Sequence, residues 1–203
     1  MAKIIKIKFI YFCAILIIFI GCVPKIKNLN NSGKNIICFG DSITEGAGVL
    51  SYENYPSVLE KFLKRKVINA GVGGDTTFSA LKRLEKDVLS NDPFLVIIEL
   101  GGNDFLQKIP REITIKNLKE IILKIQSKNA IVVLCDISDS FVLKSYHNDL
   151  KKLAKETGSI FVSYLLAGIL NNPTLKVDYL HPNKEGHYII AERIYNAIKK
   201  YLN

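Results

Sequence analysis

The sequence predicts a three-layer α/β/α sandwich around a parallel five-stranded sheet. Five short runs are rich in β-branched residues and apolar on consecutive positions, as in Leu95-Val96-Ile97-Ile98 and Ile131-Val132-Val133-Leu134. Such runs suit strands covered on both faces. Amphipathic helical stripes lie between them, and strands alternating with helices imply crossover connections and a parallel sheet. The 203 residues, 48% hydrophobic and 23% charged, suffice for one core and show neither a second domain nor an internal repeat.

The runs fall at 35–39, 67–70, 94–100, 130–136 and 160–163. After the first, Tyr55, Val58, Leu59 and Phe62 form a helical stripe, with Pro56 suited to a first turn. Phe78, Leu81, Leu84 and Val88 form a second, capped by Asp75 or Thr76. Leu118, Ile121, Ile122 and Ile125 make the third. Leu150, Leu153 and Ala154 make a weaker fourth ending at Gly158, and Tyr188, Ala191, Ile194, Tyr195 and Ile198 close the chain on a helix with Lys199 and Lys200 near its end. Cys38 and Cys135 fall in the first and fourth strands. In a doubly wound sheet of order 2-1-3-4-5 these are two spacings, ~10 Å, apart, beyond the ~7 Å Cα reach of a disulfide. Both are expected as small buried residues rather than a redox pair or metal site.

The net charge of +9 is concentrated before the domain. From Lys34 onward 23 basic residues face 19 acidic ones, a net +4, and no basic helix, zinc finger or aromatic platform appears, so nucleic acid is not an expected partner. Residues 1–8 are cationic, residues 9–20 are uncharged, and Gly21-Cys22 follows, which is the layout of a signal peptide over 1–21. Twelve residues at ~1.5 Å each span ~18 Å, short of the ~30 Å hydrocarbon core of a bilayer. Phe19-Ile20-Gly21-Cys22 resembles a bacterial lipobox, with Phe where that pattern usually has Leu. The resemblance implies lipidation of Cys22, export, and attachment to a membrane. Residues 22–34, with Pro24, Gly33 and several Asn and Lys, then read as a flexible lipidated tether to a domain at 35–203.

Ligands of open parallel sheets bind beyond the carboxyl ends of the strands. The loops at those ends hold Gly40-Asp41-Ser42, Gly71-Val72-Gly73-Gly74-Asp75-Thr76, Gly101-Gly102-Asn103-Asp104 and Asp178-Tyr179-Leu180-His181. A serine nucleophile needs a base, the base needs an orienting partner, and the resulting oxyanion needs donors already in place. Ser42 is the candidate nucleophile, presented by a sharp turn at Gly40. His181 is the candidate base, and Asp178, three residues earlier, is its partner. The backbone N–H groups of Ser42 and Gly74 and the side-chain amide of Asn103 are the candidate oxyanion donors. His147 is expected to be solvated and His187 to be structural. Asp104 is expected to hold loop backbone, and Glu99, an acid inside an apolar strand, must have a hydrogen-bond partner.

These four blocks, in this order and spanning residues 36–200, resemble those of the SGNH (GDSL-type) hydrolases. The wording around Asn69-Ala70 and Glu99-Leu100-Gly101-Gly102-Asn103-Asp104 is closest to the arylesterase, lysophospholipase and type I thioesterase branch. The resemblance implies a flavodoxin-like fold, ester hydrolysis without metal or cofactor, nucleophile Ser42, Asp178 with His181, and oxyanion residues Gly74 and Asn103. The expected substrate is a small-molecule or lipid ester, foremost a lysophospholipid or other acyl ester, with O-acetylated carbohydrate as the alternative. Apolar residues in the loops at 105–113 and 137–146, namely Phe105, Leu106, Ile109, Phe141, Val142 and Leu143, favour an acyl chain. A metal-dependent phosphoesterase is disfavoured because the chain has three His in all. A non-catalytic surface lipoprotein is the remaining rival, and Ser42→Ala separates it from an enzyme.

Overall fold

A computed structural model describes residues 25–138 and 144–202. The expected signal peptide at 1–21, the lipidation site Cys22, and Phe141, Val142 and Leu143 lie outside the described residues.

The strands are β1 (Asn35–Gly40), β2 (Val67–Gly71), β3 (Pro93–Glu99), β4 (Ile131–Cys135) and β5 (Ile160–Val162). All pairings are parallel, in the order β2-β1-β3-β4-β5. The helices are α1 (Ser42–Glu45), α2 (Tyr55–Leu63), α3 (Thr77–Asp87), α4 (Gly102–Leu106), α5 (Arg111–Ser127), α6 (Lys144–Thr157) and α7 (Lys184–Ile198).

Side-chain alternation along the strands divides the core in two. Ile37, Phe39, Val96, Ile98, Val132 and Leu134 pack against α3, α5 and α6. Ile36, Cys38, Leu95, Ile97, Val133 and Cys135 pack against α2 and α7. Each such fully buried aliphatic chain contributes roughly 1.5–3 kcal/mol relative to exposure. This two-sided burial is why the strands read as continuous apolar runs. Cys38 and Cys135 are buried free thiols on strands separated by β3.

Caps fix the helix starts. Asn54 accepts the Ser57 N–H at the head of α2. Thr76, rather than Asp75, caps α3 in a reciprocal box with Ser79. The short helices α1 and α4, directly after β1 and β3, stand where the sequence suggested only loops.

The expected tether is corrected in part. Residues 25–34 lie against the sheet's N-terminal edge instead of hanging free. The Lys27 N–H bonds the Gly158 carbonyl at 3.0 Å, and the Asn28 amide bonds the carbonyls of Gln126 and Ala130, each at 3.0 Å. Ile26 packs against the α2/α7 core, and the Lys34 N–H reaches Asp92 O at 3.0 Å. Asn28, which reads as linker composition, instead satisfies backbone carbonyls at the end of α5 and in the turn before β4.

Candidate active site

Register places Gly40 of β1 level with Gly71 of β2 and Glu99 of β3, so three loops leave the sheet at one height. They flank the switch point where the chain, having wound to one side of β1, returns to the other. Ser42 is the first residue of α1, and the capping Asp41 carboxylate accepts the Ile43 N–H at 3.0 Å. Gly40 is required for a different reason from the expected sharp turn. A Cβ there would lie 2.0 Å from Thr44 Oγ1 and 2.5 Å from the Glu99 carbonyl oxygen. Close approach of α1 and β3 demands the glycine.

The partner of Ser42 arrives from 139 residues away. His181 Nε2 lies 3.0 Å from Ser42 Oγ, and His181 Nδ1 lies 2.8 Å from Asp178 Oδ2. Asp178 Oδ1 accepts the N–H groups of Leu180 and His181, each at 2.8 Å. The bond to His181, followed by those two backbone donors, holds the Asp178 carboxyl down to about 2. A lasting carboxylate keeps the proton on Nδ1 and leaves Nε2 free to accept from the serine. Backbone pairing of Val177 with His181 at 3.0 Å fixes this loop, as does Asn183, which caps α7 and donates to the Thr174 carbonyl at 2.9 Å.

Beside Ser42 stand the expected oxyanion donors. Gly74 has φ +79°, a conformation that favours glycine, and neither its N–H nor that of Ser42 is engaged by an acceptor among the described residues. Asn103 is the second residue of α4. Its amide donates to Asp41 Oδ2 at 3.1 Å and to the Asp75 carbonyl at 3.0 Å. Both amide hydrogens are thus occupied at rest, and donation to an oxyanion requires one to be shared with, or withdrawn from, these acceptors.

Beneath these groups lies a polar layer only partly visible in the sequence. Glu99, the acid within β3, is buried; Oε2 accepts from the Thr44 hydroxyl at 2.9 Å, and Thr44 in turn accepts from Tyr55 O–H at 2.8 Å. The Glu99 carboxyl faces both the carboxyl and the backbone N–H of Asp41. Burial pushes Glu99 well above the usual carboxylate range and Asp41 up to about 6. Asp104 is also buried and, as expected, holds backbone: it accepts the Thr77 N–H at 2.8 Å and the hydroxyls of Thr77 and Thr114, joining α3 to α4 and α5.

Arg83 escaped the sequence reading. Its guanidinium donates to the carbonyls of Gly40 and Ala70, each at 2.9 Å, pairs with Asp75 and Asp87, and lies 4.4 Å from the Phe39 ring. It therefore pins the ends of β1 and β2 to the loop that carries Gly74. The one local signal was its i,i+4 spacing from Asp87.

Of the other histidines, His187 is buried and accepts the Tyr55 N–H on Nδ1 at 3.2 Å, a structural role. His147 departs from the expectation of a solvated side chain. It is buried in α6, bonds Asp136 Oδ2 at 2.6 Å and stacks on Tyr164 with ring centroids 4.2 Å apart. The acid that draws it inward sits eleven residues earlier, at the end of β4. Among the described residues no group of three or more His, Cys, Asp and Glu is placed to hold a metal ion.

Ser42 and His181 open onto a cavity of about 570 Å³. Its apolar wall includes Ile43, Phe105, Leu106, Ile137, Leu166 and Leu170. Phe105 and Leu106 were expected there; Ile109 does not line it, and Leu166 and Leu170, from the segment after β5, were not anticipated.

With this geometry in place, comparison with known proteins is decisive. Residues 38–189 match the GDSL-like lipase/acylhydrolase family. The chain belongs to that family. It is 29% identical over 184 residues to an arylesterase of Vibrio mimicus, covering 85% of this chain and 92% of that protein. It is 26% identical over 176 residues to the thioesterase 1/protease 1/lysophospholipase L1 of Escherichia coli K12, covering 83% and 85%. The crystal structure of the psychrotrophic esterase EstA from a Pseudoalteromonas species superposes with a TM-score of 0.76 at 28% identity, covering 84% of this chain and 99% of that one. This GDSL-family protein is a serine hydrolase acting on esters.

Proposed function

We propose that the protein is an exported, membrane-anchored serine esterase that cleaves acyl esters through an acyl-enzyme intermediate. One observation carries the reading: the Ser42–His181–Asp178 chain of hydrogen bonds, 3.0 and 2.8 Å, opens onto an apolar cavity large enough for an acyl chain. Ser42 Oγ attacks the ester carbonyl carbon while His181 Nε2 takes its proton. Negative charge gathers on the former carbonyl oxygen, where the N–H groups of Ser42 and Gly74 and the Asn103 amide receive it; losing one such donor typically costs ~10²–10³ in rate. His181 then protonates the departing alcohol oxygen, leaving an ester between Ser42 and the acyl group. A water, deprotonated by the same imidazole, attacks that ester and restores the serine.

The apolar wall favours aliphatic acyl groups over acetylated sugars, since each methylene buried against it adds ~0.8 kcal/mol. A lysophospholipase is named among the relatives, and lysophospholipids are the foremost lipid candidates. Export and lipidation at Cys22 rest on the sequence layout of residues 1–22.

The test is a panel of lysophospholipids, p-nitrophenyl esters of graded chain length and acetylated sugars, run on wild type and Ser42→Ala. Turnover rising with acyl length and lost in Ser42→Ala is expected. Acetate-only turnover would select the carbohydrate reading, and turnover retained by Ser42→Ala would dismiss the mechanism.

A further inference from the structure

We infer that the catalytic mouth faces away from the membrane to which the N-terminus is attached, so that its substrates are dissolved esters or esters on a facing surface, not lipids of the enzyme's own bilayer. The inference rests on the proposed anchoring and deepens it by naming where the substrate comes from.

Two independent observations meet here. The first is the path of residues 25–34. They run beneath the sheet, held to Gly158 ahead of β5, to Gln126 and Ala130 ahead of β4, and to Asp92 ahead of β3, before entering β1. A Cβ on Gly158 would lie 2.8 Å from the Lys25 carbonyl oxygen, and one on Gly33 would lie 2.2 Å from that of Pro93, so the fit is close at both ends. All five strands point the same way, and Ser42, Gly74, Asn103 and His181 gather at their opposite ends. The six residues of β1 alone separate entry point and mouth by ~20 Å.

Reach then decides the matter. From Cys22 to the docked Lys25 is three residues, ~10 Å at full extension. Turning the mouth onto the bilayer would lift Lys25 at least ~20 Å above it, about twice what those residues span.

The second observation is charge. The helices between strands run back toward the N-terminal edge, so their C-terminal ends, which favour cations, gather on the face that residues 25–34 cross. Exposed Lys25, Lys27, Arg65, Lys66, Lys128 and Lys200 lie on or beside that edge, against the acids Glu60, Asp92 and Glu156. Beside the mouth, by contrast, stand the exposed carboxylates of Glu45, which lines the cavity, and Asp178, which holds His181. A basic face beside the anchor suits an anionic lipid surface, with each Lys or Arg near such a surface adding attraction.

The experiment uses the full chain, purified from bacterial membranes and reconstituted into vesicles containing phosphatidylglycerol. It is compared with a variant carrying a 30-residue Gly/Ser insert between residues 23 and 24. Each receives p-nitrophenyl butyrate in solution and, embedded in its own vesicles, the longest p-nitrophenyl ester that it cleaves in detergent micelles. Equal rates on the dissolved ester, with the insert raising turnover of the embedded ester about tenfold or more, are expected once reach is restored. Equal turnover of the embedded ester by both proteins would overturn the orientation while leaving the anchored esterase standing. Failure of either protein to sediment with vesicles would overturn the anchoring and the orientation with it.

Discussion

The carboxyl groups of Glu99 and Asp41 face each other, and Asp41 Oδ2 accepts from the Asn103 amide at 3.1 Å. Two facing carboxyls that are both buried share a proton more readily than they carry two charges. Thr44 occupies one Glu99 oxygen, while Asp41 accepts from Ile43 and Asn103. The proton therefore sits on Glu99, which donates to Asp41 and leaves it able to hold Asn103.

Glu99→Gln reproduces that neutral donor. It should keep kcat within about threefold of wild type, whereas Glu99→Ala strands a buried carboxylate and should cost about 1–3 kcal/mol of stability and most of kcat. Steady-state kinetics and urea unfolding of both variants check this. Equal losses in the two would mean that Glu99 acts as an anion.

Arg83 donates to four partners, and its guanidinium also lies over the Phe39 ring. Arg83→Met keeps the stem but removes the guanidinium donors from the carbonyls of Gly40 and Ala70 and leaves the buried Asp75 carboxylate with only the Ser79 hydroxyl, an expected loss of about 3 kcal/mol. Arg83→Lys should recover little of it, because an ammonium cannot match the fork. Urea unfolding reads the loss, and kcat should fall in parallel as the Gly74 loop loosens.

His187 gives a pH signature to stability. Burial, then the charge of nearby His181, lowers it from 6.5 to about 4. Between those values the unfolded chain binds a proton that the folded chain refuses, so stability falls as pH drops through this window, by about 3 kcal/mol in all, and the loss levels off below pH 4. Asp41, raised from 3.8 to about 6, works in the opposite direction over nearly the same range, since the folded chain takes its proton first. Asp178, lowered to about 2, loses its contribution only as pH falls from 3.8 through that value. The stability difference between wild type and His187→Asn isolates the histidine. It should change by about 3 kcal/mol from pH 7 to pH 4; a constant difference would contradict the assignment.

Acyl selectivity should reside in the cavity wall. Leu106→Ser and Leu170→Ser remove apolar surface without touching Ser42 or His181, and should lower kcat/KM on octanoate about tenfold relative to acetate. Parallel losses on both esters would place the acyl group elsewhere.

Long-range and very short features marked the limit of what the sequence could reveal. The strands stood out because both faces are buried, and Ser42, Gly74, Asn103, Asp178 and His181 stood out as chemistry-bearing residues in loops after apolar runs. Helices α1 and α4, four and five residues long, are too short to show a period. The partners of Glu99 are Thr44 of α1, 55 residues earlier, and Asp41, which caps that helix, and no local pattern announces them. His147 and Asn28 were misjudged for a common reason: polar residues read as solvated when their partners, Asp136 and two backbone carbonyls, became neighbours only on folding.

The central claim is that Ser42 is the nucleophile activated by His181. It is tested most directly by mass spectrometry of the protein after treatment with a p-nitrophenyl organophosphonate. One adduct per chain, on the peptide containing Ser42, is expected, with activity lost in proportion, no adduct in Ser42→Ala, and labelling slowed at least ~10³-fold in His181→Ala. An adduct on another residue, or full esterase activity in a chain labelled at Ser42, would contradict it.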